Sequence, residues 1–456
     1  MSSFHRALSH LYYEKLLPRK YGGTWQQRFD WMQANARRDA QGLDAMRREL
    51  LGDLLRHAGM APYYREVLHQ LGTQPEELLE PQNFARFPLL TRTHLREQLE
   101  ELVVEGVERS SLKYDTTSGS TGKPTPYYHG LEYARQGAVQ VVRNQLWSGW
   151  RYGEPVVKIW GWVSAFNFNP RERVRILADN LLRNEIRLPA YHMTDDDLRR
   201  WPGVLRQRRP SLMIGYVNAM LALAQSAEDL ASVGLRGVVA TAETLFPAQR
   251  QALERAYGCK VYNRYGCREL STIAHECSHG RLHINEDWVY VEITDNQGRP
   301  VPAGQVGQVV LTGYFTHGMP FIRYAVEDAA AFSEDENPCP CGCNFRSLSR
   351  LEGKLQDLIS LPEGGYVSGE YFAGVMRHHP LLHFQVNQPA IDHLDALLVP
   401  GEGYCQQDEE EMRRRILEYC PGVTVTFQQV TEIPLTASGK RRLTVSQVSG
   451  ADRLYR

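Results

Sequence analysis

Residues Tyr114–Gly130 read "YDTTSGSTGKPTPYYHG" and place Thr116, Thr117, Ser118, Gly119, Ser120, Thr121, Gly122 and Lys123 in succession. Glycines let backbone N–H groups converge, hydroxyls add donors and a lysine adds charge, which is the composition of a phosphate cradle. The order excludes a Walker loop, which reads G-x-x-x-x-G-K-[ST] and opens a helix. Here Lys123 precedes Pro124 and both flanks read as strand. Taken alone, such a stretch is commonly a surface turn, so its company along the chain decides its meaning.

On the N-terminal side, residues 25–70 read as helix, with Leu50, Leu51, Leu54 and Leu55 on one face of a 3.6-residue period. "LLTRTHLREQLEELV" predicts a second helix capped by Thr91. From about 114 to 245, short apolar runs such as "PVVKIWGW" and "RGVVATAE" alternate with helical stretches, the pattern of an α/β domain. Residues 281–333 change to two strand-like runs around a Gly/Pro turn, as in an antiparallel meander. "RSLSRLEGKLQDLIS" marks a boundary. Beyond it, "HFQVNQ", "DALLVP" and "VTVTFQQV" predict strands around the helix "DEEEMRRRILEYC".

The chain has 456 residues, enough for two to four domains at roughly 150 residues each. Apolar residues make up 42% and charged residues 23%, as in a globular protein with a large core. A net charge of −1 supplies no global field for nucleic acid or an anionic membrane, so neither is an expected partner. The start lacks an apolar signal core, and no run of about 18 apolar residues suggests a membrane span. The expected location is the cytoplasm, where eight cysteines more often bind metal or serve chemistry than form disulfides.

A nucleotide site needs a metal carboxylate, a ribose partner and an adenine slot beside its phosphate loop. The chain offers, in order, "TTSGSTGKP", "TAETLF" (Thr241–Phe246), "NRYGCREL" (Asn263–Leu270), "FIRYAVED" ending in Asp328, "LEGKLQDLI" and "PLTASGKRR" with Lys440. Single matches mean little, since a lone Asp or Lys is usually a solvated strand end or turn. Six motifs in order resemble the adenylate-forming superfamily of acyl/aryl-CoA synthetases and adenylation domains. More narrowly, the chain resembles the phenylacetate–CoA ligase-like branch with its capsule-biosynthesis homologues, over residues from about 50 to 445.

The resemblance implies an α/β fold: a large N-terminal adenylation domain (1–352) with mixed sheets and a small β-rich subdomain, a hinge (353–357), and a small mobile α+β C-terminal lid (358–456). It implies ATP, Mg²⁺ and coenzyme A, and a carboxylic acid turned into an acyl-adenylate and then a thioester. Thr117, Ser118, Gly119, Ser120, Thr121, Gly122 and Lys123 would hold the phosphates. Glu269 would bind Mg²⁺, a hard ion that bridges phosphates through oxygen ligands. Asp328 would accept both ribose hydroxyls, which takes an ionised carboxylate. Glu243, Thr244, Asn263, Arg264, Tyr265 and Gly266 would line the adenine and α-phosphate region, with Lys354 contributing from the hinge. Lys440 would meet the charge that develops as the acid attacks the α-phosphate.

Trp160, Trp162, Phe166, Tyr216 and Ala240 would form the acid pocket, suited to an aromatic or medium apolar acid, although core aromatics give the same pattern. The hinge departs from the family pattern Gly-Arg-x-Asp-Asp. Lys354 replaces the arginine, losing its planar fork, and Gln356 replaces an acid. These changes bear on domain rotation and thiol transfer rather than on adenylation. Arg350 lies near enough to take over a ribose contact.

Cys277 and His283 stand in Cys-x5-His spacing, and Cys339, Cys341 and Cys343 follow in "NPCPCGCNF". The favoured quartet is Cys277, His283, Cys339 and Cys341, the ligand tally of a closed structural zinc site, with His275, His279 and Cys343 as substitutes. The resemblance extends to relatives with a zinc near that position, while reduced cysteines in a turn are the bland alternative. Three functions stay open: a CoA ligase, an adenylase passing its acyl group to a carrier-protein thiol, amine or sugar, and a weakly active scaffold homologue. Relatives suggest a homodimer.

Overall fold

The computed structural model describes residues 3–117, 125–161, 170–295, 297–352, 359–363, 366–367, 369–376, 378–401, 403–433 and 442–448. Strands β1 (Lys113–Thr117) and β2 (Thr125–His129) form an antiparallel hairpin closed by the pair Thr117↔Thr125. The strand flanks expected around the Ser/Thr/Gly loop are therefore present. The loop's residues Ser118, Gly119, Ser120, Thr121, Gly122 and Lys123 lie outside the described residues.

The main sheet has eleven strands. Its parallel part comprises β3 (Val156–Trp160), β4 (Glu185–Pro189), β6 (Leu212–Tyr216), β7 (Gly237–Thr241) and β8 (Val261–Cys267), in the order 4-3-6-7-8. These runs lack apolar–polar alternation because both faces are covered. Val156, Leu212, Ile214 and Val239 join one core, while Val157, Ile159, Met213 and Val238 join the other. Helix Leu131–Trp147 contributes Val139 and Val142 to the first. Helices Asp195–Arg208, Val217–Ser226 and Pro247–Tyr257 contribute Leu205, Met220 and Leu253 to the second. Parallel sheets read as continuous hydrophobic runs for this reason.

The sheet continues antiparallel through β9 (Ser271–Glu276), β10 (Leu282–Ile284), β14 (Ser347–Glu352), β13 (Tyr324–Phe332), β12 (Gly307–Gly313) and β11 (Val289–Thr294). The meander expected over residues 281–333 is present as β11–β13, and β14 extends it. Rather than forming a sheet of its own, it is joined to the parallel part through the β10–β14 pairing. The N-terminal helical stretch is three helices, Trp25–Asn35, Ala40–Ala58 and Pro62–Leu71. Asp39 caps the second by accepting from the Gly42 amide, and Pro62 opens the third. The helix after Thr91 is short, Arg92–Glu97, but carries the expected cap.

Arg143 ties the helical layer to the sheet. Its fully buried guanidinium pairs with Asp287 at 2.5 and 2.9 Å, and donates to Asn285 Oδ1 (2.7 Å) and the Met32 carbonyl (3.0 Å).

The C-terminal region is a smaller α+β unit. β17 (Leu381–Ala390), β18 (His393–Pro400), β19 (Thr424–Gln429) and β20 (Thr444–Ser446) form a sheet in the order 19-18-17-20. Met412, Ile416 and Cys420 of the Gln406–Tyr419 helix and its C-cap pack into its core, as the periodicity predicts. A further small sheet joins β15 (Ile359–Ser360) and β16 (Tyr366–Val367) to β5 (His192–Met193). Gln388 of β17 bonds both backbone groups of Ser360, so the β15–β16 hairpin is fastened to the C-terminal sheet.

Candidate active site

Strands β3, β6, β7 and β8 end on one side of the sheet, where open α/β sheets bind ligands. A cavity of about 200 Å³ lies there. Trp160 ends β3, Tyr216 ends β6, and Ala242, Glu243 and Thr244 follow β7. Asn263, Arg264, Tyr265 and Gly266 come from β8, with Glu269 just beyond it; Asp328 arrives from β13 and Thr117 from β1. With Leu351 of β14, residues from five of the six sequence motifs therefore share one wall.

The local chemistry explains several of these choices. Gly266 sits at a β-bulge where an added Cβ would lie 2.2 Å from the Ser271 carbonyl oxygen, so only glycine fits between β8 and β9. Ala242 holds φ +66, a conformation non-glycine residues rarely adopt and one that clusters at functional sites. Tyr265 donates to Asp328 Oδ2 at 3.0 Å, and burial together with the Asp328 carboxylate keeps its phenol protonated. Tyr324 donates to Glu269 Oε1 at 2.7 Å, fixing a carboxylate that is only 3% exposed. Glu243 Oε2 accepts from the Asn218 amide at 2.8 Å, in the first turn of helix Val217–Ser226. The Asn263 amide donates to Glu276, which also pairs with Arg250. Among the described residues the Thr117 hydroxyl has no hydrogen-bond partner, and it stands buried in the wall of the cavity.

Trp160 and Tyr216 lie with ring centroids 5.0 Å apart at 48°. Ala240, expected in the acid pocket, instead faces the core with Val238; the alanine at the cavity is Ala242. Trp162, Phe166, Lys354, Gln356 and Lys440 lie outside the described residues. Sequence reasoning missed Arg92, Arg268 and Leu351, which also line the cavity. Arg92 opens a short helix and is part of no quoted motif, while Leu351 belongs to β14 and is the first residue of "LEGKLQDLI", a motif whose other residues drew the expectation. Arg268 sits inside "NRYGCREL" but was passed over for its acidic neighbour.

A second cavity, of about 590 Å³, adjoins the first and shares with it Trp160, Ala242, Arg264, Gly266, Cys267 and Arg268. It runs from that shared wall toward Lys158, Glu185 and the N-terminal tyrosine Tyr13.

Some distance along the sheet, Cys277, His283, Cys339 and Cys341 bring their ligand atoms within 4.8 Å of one another. The His279 amide donates to Cys277 Sγ and the Cys343 amide to Cys341 Sγ, both at 3.4 Å. His283 Nδ1 donates to the Phe345 carbonyl at 2.8 Å, which turns Nε2 toward the sulfurs. Burial acts to raise the Cys277 thiol, but His283 and the amides of His279 and Arg281 outweigh it and hold the thiol at about 6. Three sulfurs, one imidazole and a prepared outer shell fit a structural zinc ion. His275 is occupied elsewhere, by Ser148 and the Glu276 carbonyl.

No protein-family model matches the chain. Protein CapK of Staphylococcus aureus is 22% identical over 397 residues, covering 85% of each chain. Phenylacetate–coenzyme A ligase of Pseudomonas putida is 25% identical over 418 residues, covering 88% of this chain and 92% of its own. Among solved structures, 2-hydroxyisobutyryl-CoA ligase in complex with 2-HIB-AMP and CoA matches with a TM-score of 0.62 at 22% identity, covering 92% of this chain and 93% of that one. The fold is that of adenylate-forming ligases. Along most of its length the chain is similar to proteins of the phenylacetate–CoA ligase-like branch.

Proposed function

We propose that this protein is an acid–thiol ligase that activates a carboxylic acid with ATP and transfers the acyl group to coenzyme A. The observation that carries this reading is the convergence of Thr117, Glu243, Tyr265, Glu269 and Asp328 on one cavity at the strand ends. Asp328, oriented by Tyr265, accepts the ribose hydroxyls. Glu243, Thr244, Asn263 and Gly266 border the adenine and α-phosphate. Thr117 and the segment Ser118–Lys123 meet the β- and γ-phosphates. Glu269 is the hard oxygen donor suited to Mg²⁺, which would offset phosphate charge.

In the first half-reaction an oxygen of the acid attacks the α-phosphorus and pyrophosphate leaves with the bond electrons. Lys440, brought in by the segment after the hinge at 353–357, stabilises the charge that develops. In the second, the thiolate of coenzyme A attacks the acyl carbonyl and AMP leaves.

The decisive experiment is acid-dependent exchange of pyrophosphate into ATP over a panel of aromatic and aliphatic acids, followed by coenzyme A dependence on any acid that responds. Exchange followed by thioester formation is expected. Exchange with no thioester points to a carrier-protein thiol, an amine or a sugar as acceptor. Absence of both exchange and ATP binding overturns the reading in favour of a scaffold homologue.

A further inference from the structure

The large cavity adjoining the nucleotide site is lined mainly by apolar and aromatic side chains but also carries five cations. Its cations are mostly balanced: Lys158 meets Glu185 at 2.5 Å, Lys113 meets Asp115 at 3.7 Å and Arg183 meets Asp179 at 2.9 Å. Arg264 and Arg268 are the exceptions. Among the described residues neither has a carboxylate partner, and both stand in the wall shared with the nucleotide cavity. Arg268 spends one donor on the Thr116 carbonyl at 2.8 Å.

Arg264 is held more completely. Its Nε donates to Thr241 Oγ1 at 3.2 Å, and its guanidinium carbon lies 5.7 Å from the centre of the Trp160 ring. Trp160 in turn packs on Tyr216. One edge and one face of the guanidinium are thus fixed. Its two terminal nitrogens have no hydrogen-bond acceptor among the described residues. Burial without a counter-charge pulls this arginine down to about 10, so it remains a cation at neutral pH. A half-buried cation whose planar fork opens into the cavity favours a bidentate anion, because a carboxylate matches the fork's geometry and supplies the missing counter-charge.

We propose that the acid substrate carries a second carboxylate and that Arg264 is the residue that recognises it. The inference rests on the ligase reading above and names its substrate class. It replaces the aromatic or medium apolar acid that the tryptophans and tyrosine suggest; those rings serve to stack the arginine.

The test uses pairs of acids that differ only by methyl against carboxylate: pentanoate with glutarate, and 4-methylphenylacetate with 4-carboxyphenylacetate. Pyrophosphate exchange gives kcat/KM for each, and thermal stabilisation by each acid gives binding without turnover. A charge-assisted bidentate pair predicts roughly a ten- to hundredfold preference for the diacid in at least one pair. Arg264→Met should reverse that preference, chiefly through KM for the diacid, and Arg264→Lys should restore only part of it.

Equal use of both members of each pair overturns the proposal. So does an Arg264→Met variant that loses exchange by one common factor with every acid, or that raises KM for ATP, since either would put Arg264 on the reacting carboxylate or the nucleotide. If no acid supports exchange, the ligase reading fails. In that event, stabilisation by the diacid alone, lost in Arg264→Met, still supports the site, and its absence sinks it.

Discussion

Asp328 shows how a single carboxylate is prepared for its partner. The Tyr265 hydroxyl occupies Oδ2, so the side chain is held in one orientation before any ligand arrives. Asp328→Ala should therefore raise KM for ATP by roughly ten- to hundredfold, as expected for hydrogen bonds to a charged group, with a much smaller effect on KM for the acid. Initial-rate exchange kinetics separate the two. Tyr265, Glu269 and Asp328 are legible in the sequence because each lies in a short motif whose neighbours fix the local backbone; Gly266 beside Tyr265 is the clearest case, since the bulge admits no Cβ. Arg92 is not legible, because nothing local marks it and only the closing of the chain brings it to the cavity; Leu351 opens the motif "LEGKLQDLI", but an apolar residue there carries no chemistry of its own. The role of Arg264 was hidden for a different reason: its residue type was visible, but its lack of a carboxylate partner is a property of the assembled neighbourhood.

Among the elements, helix Leu131–Trp147 depends on a buried charge. Arg143 and Asp287 are both fully buried, and removing one partner strands the other away from water. Arg143→Met should cost about 3–5 kcal/mol in stability, measured by denaturant unfolding, whereas a surface pair such as Arg65–Glu105 should contribute under about 1 kcal/mol. The cysteine-rich loop is the second such element. Asn344 donates to the carbonyl of Ala36, so the loop that carries Cys339 and Cys341 also grips the end of helix Trp25–Asn35. Purified protein should contain about one zinc per chain. Cys339→Ser should abolish that content and lower Tm by roughly 5 °C or more, a loss that added zinc does not repair. The quartet could be favoured from spacing, because Cys-x5-His spans one β-hairpin and Cys-x-Cys one loop, and the fold brings the four ligand atoms together. The continuity of the eleven-stranded sheet could not, because the β10–β14 pairing joins residues more than sixty positions apart.

For the whole molecule, the neutral histidines set the response to acid. His129 and His275 are buried, and desolvation lowers both to about 3. Unfolded, each would titrate near the ordinary 6.5, so the unfolded chain binds more protons than the native one as pH falls below that value. Stability is then complete above roughly pH 6.5 and declines by about 1.4 kcal/mol per pH unit for each histidine, together about 4 kcal/mol by pH 5. Urea midpoints measured across this interval should fall accordingly, and His275→Gln should flatten the slope by about half.

The two-residue ladder between β5 and β16 also constrains how the molecule can move. The C-terminal unit is tethered covalently through residues 353–357, and a second time where Tyr366 and Val367 pair with Met193 and His192. His192 and Tyr419 add a ring contact at 5.7 Å beside that ladder. A body pinned at one point can pivot in any direction, whereas one pinned at two separated points keeps a single axis, the line between the pins. With the ladder intact, a swing about the line through both attachments is the motion that breaks no pairing. Any turn about another axis must begin by unzipping β16 from β5.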